Sequence, residues 1–294
     1  RTDTAALYAF DTLKLGERWQ FEGGLRGERY RTDYLDVEAG SAPARLAAAH
    51  TLVTWKTGLV FKPAPDGSVY AAYGLSQKPP GSDLTLSSAL GNQNNPDTAP
   101  QRTDNAEVGV KWEFLRNRLG TTLAVFRTEN DRTVYNDPIL GPVPAGRQEV
   151  RGAEFNATGR LADNWTIFAG VAWLDSDITA GPAAQVGAGL PLIPRLSGNL
   201  WTTWRLPWGV TVGGGARSSS QVNRLQTTGA APLAMPSYWL CDALASWEAG
   251  PRLTLRLNVR NVFNEDYVES YNNNGGRFMP GAPRAWLLTA ALKF

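Results

Sequence analysis

The chain has 294 residues, a formal net charge of +2, 43% hydrophobic residues and only 19% charged residues. A near-balanced charge gives no electrostatic reason to expect a nucleic acid partner, and a single cysteine, Cys241, excludes an internal disulfide or a cysteine-based metal cluster. The single histidine, His50, likewise excludes a multi-histidine zinc site.

Alternation of apolar and polar residues dominates the chain from its start. A first strand is predicted over 5–15. From Trp19 to Glu28, one face carries Trp19, Phe21, Gly23, Leu25 and Gly27, and the other carries Gln20, Glu22, Gly24, Arg26 and Glu28. Val53, Trp55, Thr57, Leu59 and Phe61 repeat the pattern, followed by Val108, Val110, Trp112 and Phe114. Trp165, Ile167, Ala169, Val171 and Trp173 form another such face, as do Trp239, Cys241, Ala243, Ala245 and Trp247. Between Arg252 and Arg260 the period of two has no exception: Leu253, Leu255, Leu257 and Val259 alternate with Thr254, Arg256, Asn258 and Arg260. A last strand is predicted over 284–294.

The connections alternate as well. Short turns fall at 15–18, 63–67, 116–118, 162–164, 207–209 and 250–251, and long polar or Gly/Pro-rich loops near 34–49, 77–101, 136–147, 178–192, 223–236 and 269–283. This divides the chain into 13 strands with no competing helix. Apolar runs never approach the ~18 residues of a transmembrane helix. Short turns on one side, long loops on the other and strand faces that open or close on Trp are the signature of an antiparallel transmembrane β-barrel. A soluble β-sandwich also alternates, but it does not confine its long loops to one end. Strands 1 and 13 run the same way, whereas single-chain bacterial barrels close antiparallel with an even strand count. The expectation is therefore about 13 strands of a larger barrel, with residues 1–294 its C-terminal part.

The tail resembles the end of TonB-dependent outer-membrane receptors. The family pattern L-x-x-x-N-V-x-N-L-F-[ND]-x-x-Y is met by Asn258, Val259, Asn261, Val262, Phe263, Asn264 and Tyr267, with Val262 in place of the commoner Leu. Gly281, Pro283, Arg284 and the terminal Phe294 follow in the family's order. Gly24, Arg26, Glu28 and Tyr30 are similar to the G-x-R-x-[DE]-x-Y strand of ferric-siderophore receptors, and the stretch around 191–215 to another family strand, with Trp204 where Tyr is usual. The YAFDTLKL stretch points to the catecholate branch. The resemblance implies a barrel of about 22 strands around a plug, with the plug and the energy-coupling motif upstream of Arg1. It also implies a non-enzymatic transporter of the Gram-negative outer membrane, with no resident cofactor or metal. Its partners would be a ferric siderophore, outer-membrane lipid and lipopolysaccharide, and the TonB complex. A passive pore, a cobalamin or sugar receptor and an outer-membrane phospholipase stand as alternatives; the last would need a Ser–His pair at the lipid face.

The candidate ligand residues come from the arginines, which number 23 against six lysines. A catecholate chelate is an aromatic polyanion, and arginine offers charge, a planar donor fork and stacking together. Arg127, Arg132, Arg147, Arg217, Arg224 and Arg277 lie toward the loop side, with Tyr135 and Tyr271 as ring partners. Outward arginines would instead meet lipopolysaccharide phosphate or pair with carboxylates. His50 and the NQNNPD stretch (92–97) read as plain loop, and the glycines at 213–215 as room for a bulky lumenal group.

Overall fold

The computed structural model describes residues 1–36, 43–82, 95–137, 141–223, 234–272 and 277–294, with backbone alone at 136–137, 141–142 and 271–272. The strands in chain order are β1 (Thr2–Leu15), β2 (Trp19–Asp36), β3 (Ala44–Ala64), β4 (Gly67–Lys78), β5 (Gln101–Phe114) and β6 (Leu119–Asp137). They continue with β7 (Gly141–Ala162), β8 (Trp165–Ala180), β9 (Leu196–Arg205), β10 (Val210–Ser219), β11 (Val222–Asn223) and β12 (Ala234–Met235). The last are β13 (Tyr238–Glu248), β14 (Leu253–Arg260), β15 (Val268–Asn272), β16 (Arg277–Pro280) and β17 (Ala285–Leu292). Thirteen of them form one antiparallel sheet in the order β1 to β10, β13, β14, β17. The other four make two small ribbons, β11–β12 and β15–β16, on the long-loop side.

The expected strand count therefore holds, and so does the expected seam. β1 and β17 stand at opposite edges of the sheet and are not paired with each other. The six short turns fall where the sequence places them. The long-loop side differs. β2 and β3 stay paired up to Asp36↔Ala44, and β6 and β7 up to Asp137↔Gly141. Of the segments read as loops, the described parts of 34–49 and 136–147 are thus largely strand. Beyond the membrane both faces of a hairpin carry polar side chains, so the alternation that reveals a strand inside the bilayer fades while the ladder continues.

Register converts the alternation of single strands into a face. One row of cross-strand partners runs Leu13, Phe21, Leu59, Ala71, Val108, Val125, Ala153, Trp173, Leu196 over nine strands. The next row contains Leu15, Trp19, Phe61, Val69, Val110, Leu123, Phe155 and Val171. Leu253, Leu255, Leu257 and Val259 take the same side through Trp247↔Leu255, Ala245↔Leu257 and Ala243↔Val259. Their neighbours on β17 are Leu292, Ala290, Leu288 and Trp286. Large apolar side chains on this side are solvent-accessible, including Leu7, Phe21, Val108, Leu123 and Leu288. A soluble core would hide them; a barrel turns them to lipid. Aromatic rings pair along it, as in Trp19–Phe61 and Trp165–Trp204, with centroids 4.4 and 5.8 Å apart. The opposite side is the inner wall. Loop residues fold onto it: the Tyr30 hydroxyl donates to the Gly81 carbonyl at 3.2 Å, and Tyr30, Thr32, Ala48 and Leu52 are buried there.

Glycines inside strands seat rings from neighbouring strands. A Cβ on Gly109 would lie 2.5 Å from the Tyr70 ring, and one on Gly152 2.6 Å from Phe126. Within the 213–215 run, a Cβ on Gly215 would lie 2.6 Å from Trp201, which is the bulky group expected there. Covering a strand glycine with an aromatic ring offsets what the missing side chain would have packed.

The tail motif is a structural clasp. Asn261, 4% exposed and with φ of 50°, uses every polar atom. Its backbone N–H donates to Asp242 Oδ1 at 2.8 Å, and its Nδ2 donates to the carbonyls of Glu265 and Ala282 at 2.9 and 3.1 Å. Its Oδ1 accepts from the Glu265 N–H at 2.8 Å. Asn264 Oδ1 accepts from the Arg284 N–H at 2.9 Å, and Arg284 Nη1 donates back to the Val262 carbonyl at 3.3 Å. The clasp fastens the β15–β16 ribbon to the top of β13, β14 and β17.

Two outcomes are expected in the full-length protein. Leu257→Arg places a charge on the lipid side at ~2–4 kcal/mol and should cut the folded, outer-membrane fraction, whereas Asn258→Arg one residue away should leave it near normal. Asn261→Ala removes three side-chain hydrogen bonds from a buried position, a loss of about 2–3 kcal/mol, and should lower the thermal unfolding midpoint by several degrees in calorimetry.

Candidate functional site

The inner wall near the long-loop side is where a ligand entering from outside would first meet ordered side chains. Strand phase decides which candidates reach it. On β10, Val210, Val212 and Ala216 share the outer side, so Arg217 is turned inward. Its Nη2 donates to the Tyr267 hydroxyl at 3.3 Å, and its guanidinium lies 5.9 Å from the Tyr267 ring centroid. Tyr267 also contacts Tyr238, with centroids 5.0 Å apart, and its hydroxyl donates to Glu269 at 2.6 Å. Burial, with the Glu269 hydrogen bond next, holds that hydroxyl above the ordinary phenol range. Tyr267 covers Gly281, where a Cβ would collide with the ring. The result is an exposed arginine standing on a two-ring platform fixed by the clasp.

Arg132 also keeps the inward phase. It sits at a bulge between Asp131 and Thr133 with φ of 62°, and its Nη1 donates to the Pro100 carbonyl at 3.5 Å. The side chain thus ties the 95–100 segment to β6.

Arg127 and Arg147 fall elsewhere. They continue the phase of Leu123, Val125 and Ala153, and so share the apolar side of the sheet. Arg127 binds Glu149 through Nε and Nη2 at 2.9 and 2.5 Å and reaches Glu129 at 3.0 Å. Arg147 reaches Asp131 and Glu129 at 3.3 and 3.5 Å, and Arg151 pairs with Glu149. With Arg102–Asp104 at 2.8 Å these residues make a charged band directly above the apolar rows. Counting in twos from Leu123 reveals this placement in the sequence.

Tyr135 lies on the upper β6–β7 hairpin opposite Val143. Arg277 is exposed on β16 opposite Asn272. Tyr271 lies on β15 opposite Phe278, its side chain outside the described atoms, and Arg224 lies outside the described residues. The structure therefore brings Arg217 onto Tyr267, which packs in turn on Tyr238, and among the described side chains of the expected residues only Arg127 and Arg147 share a cluster, the outer band. His50 departs from its expected place: it belongs to β3 opposite Tyr30, with Nε2 buried and without a hydrogen-bond partner among the described residues. In the 92–97 stretch the described part is a turn in which Asn95 Oδ1 accepts from the Asp97 N–H at 3.0 Å. Among the described residues no group of His, Cys, Asp and Glu side chains could hold a metal ion.

Sequence reasoning missed several inner-wall groups. Arg26 pairs with Glu28 at 2.5 Å. Arg26, Lys56, Tyr8 and Phe10 line a recess of about 690 Å³ on β1–β5. Asn156 and Asn199 flank Gly170 on β7–β9. The alternation already put these residues in the inward phase; nothing in it singled them out from other polar positions.

The family described as TonB dependent receptor-like, beta-barrel, matches residues 1–262. The Catecholate siderophore receptor Fiu of Escherichia coli K12 is 32% identical over 320 residues, covering 100% of this chain and 42% of that protein. The Probable TonB-dependent receptor BfrD of Bordetella pertussis is 34% identical over 307 residues, covering 100% of this chain and 41% of its own. The crystal structure of Fiu in its closed form superposes with a TM-score of 0.90 at 31% identity, covering 100% of this chain and 45% of that one. The siderophore receptor PiuA of Acinetobacter baumannii superposes with a TM-score of 0.87 at 25% identity, covering 100% and 43%. The chain thus spans less than half the length of the relatives it matches. With an apolar outer wall, a polar inner wall and a family match over nearly all its strands, the chain belongs to the TonB-dependent receptor β-barrel family of the outer membrane.

Proposed function

We propose that residues 1–294 are the C-terminal part of the barrel of a receptor that binds a ferric siderophore, of catecholate type, and imports it. The observation that carries this reading is the whole-chain similarity to Fiu, a catecholate siderophore receptor by name. The site chemistry supports it. Arg217 over Tyr267 offers charge, a planar fork and aromatic faces in one place, which suits an aromatic polyanion. Arg132, Tyr135, Tyr271, Arg224 and Arg277 are further contacts on the loop side. Arg127 and Arg147, on the outer side, suit a different partner. Their charged band lies directly above the hydrocarbon-facing rows, at the level of phosphate-bearing lipopolysaccharide headgroups. Energy comes from the TonB complex through a part of the receptor outside these residues, and the protein catalyses no reaction.

The test is uptake of radioactive iron as a ferric catecholate by cells lacking the gene and cells carrying it back. Uptake absent without the gene and restored with it is the expected result; equal uptake in both would overturn the reading. In the restored strain, Arg217→Ala should weaken ferric-catecholate binding about tenfold, the size of a lost charged contact. Arg127→Ala should leave it within about twofold, because Arg127 stands in the outer phase of β6 with Leu123 and Val125, away from the inner wall.

A further inference from the structure

We infer that Asn156 and Asn199, seated over Gly170, form an amide-recognising subsite on the inner wall beside Arg217. The inference rests on the receptor reading and names which part of the chelate this wall holds. Four strands contribute one register row: Asn156↔Gly170, Gly170↔Asn199 and Asn199↔Arg217. The row is inward, because the flanking Phe155, Val171 and Leu200 belong to the lipid side.

Gly170 is buried beneath the two carboxamides. A Cβ there would lie 2.9 Å from Asn199 Oδ1 and 3.0 Å from Asn156 Oδ1. Both side chains thus lean over the same backbone position from opposite strands, and only glycine leaves them room. Both asparagines are exposed, and neither side chain has a hydrogen-bond partner among the described residues. They line a recess of about 290 Å³ with Glu154 and Ser197.

The chemistry of the recess selects a ligand group. Each carboxamide carries donors and an acceptor, so a converging pair complements another amide. Glu154 places negative charge in the same recess and disfavours an anion there. Arg217, next along the row, attracts one. A chelate that carries amides beside anionic oxygens is therefore oriented with its anionic end toward Arg217 and an amide toward Asn156 and Asn199.

The experiment compares two ferric probes of equal charge on the full-length receptor: the tris complexes of N-methyl-2,3-dihydroxybenzamide, which has an amide, and of catechol, which has none. Binding is followed by equilibrium titration in detergent, with outer-membrane level and unfolding midpoint recorded for every variant. The double variant Asn156→Ala/Asn199→Ala should weaken binding of the amide probe about tenfold and of the catechol probe by no more than about twofold. Gly170→Ala, which displaces both carboxamides without removing them, should show the same selectivity. Equal weakening of both probes, or no change in either, would overturn the subsite while the receptor reading stands. A wild-type receptor that binds neither probe would overturn both.

Discussion

In hydrocarbon an unpaired backbone N–H or C=O costs several kcal/mol, so a chain that crosses as strands must place every strand against another. The rest of this structure depends on that ladder. Once thirteen strands are locked in antiparallel register, side-chain phase is no longer a local choice. The row from Leu13 to Leu196 exists because eight successive pairings each match an apolar residue with an apolar residue. A slip of one residue in any pairing would carry charges such as Lys56, Glu107 or Arg256 to the lipid side.

The same ladder explains the strand glycines. Neighbouring strands lie about 4.8 Å apart, too close for two bulky residues to lie flat side by side on the inner wall. Glycine at 109, 152 and 215 lets Tyr70, Phe126 and Trp201 lie across the adjoining strand. At Gly170 no ring is present, and two carboxamides fill the place instead. On the loop side the ladder gives way to side-chain bonding. Asn261 and Asn264 satisfy backbone groups that no strand can reach, and they hold Tyr267 where Arg217 meets it.

Two walls with separate chemistries follow. The outer wall ends in a charged band whose arginines and carboxylates satisfy one another, so the step from hydrocarbon to headgroup is crossed without stranding a charge. The inner wall keeps exposed cations in front of aromatic rings, with uncharged polar groups beside them. Arginine excess in the composition is thus split between two tasks. Arg127 and Arg147 stand above the apolar outer rows, and Arg217 stands on the inner wall over Tyr267.

Much of this was legible in the sequence. The period of two from Arg252 to Arg260, the six tight turns and the one-sided loops determined a membrane barrel, its strand count and the parallel sense of its first and last strands, because each is a local property of the chain. The tail motif from Asn258 to Phe294 gave the family for the same reason. The phase of Arg127 and Arg217 was legible too, since each follows by counting along its own strand. What the sequence could not determine was adjacency across strands. That Asn156, Asn199 and Arg217, spread over 62 positions of chain, share one row depends on the register of four strands. That Tyr267 reaches Arg217 depends on how Asn261 folds its loop back. Register and loop placement are fixed by long-range hydrogen bonds, and only the tertiary structure decides those.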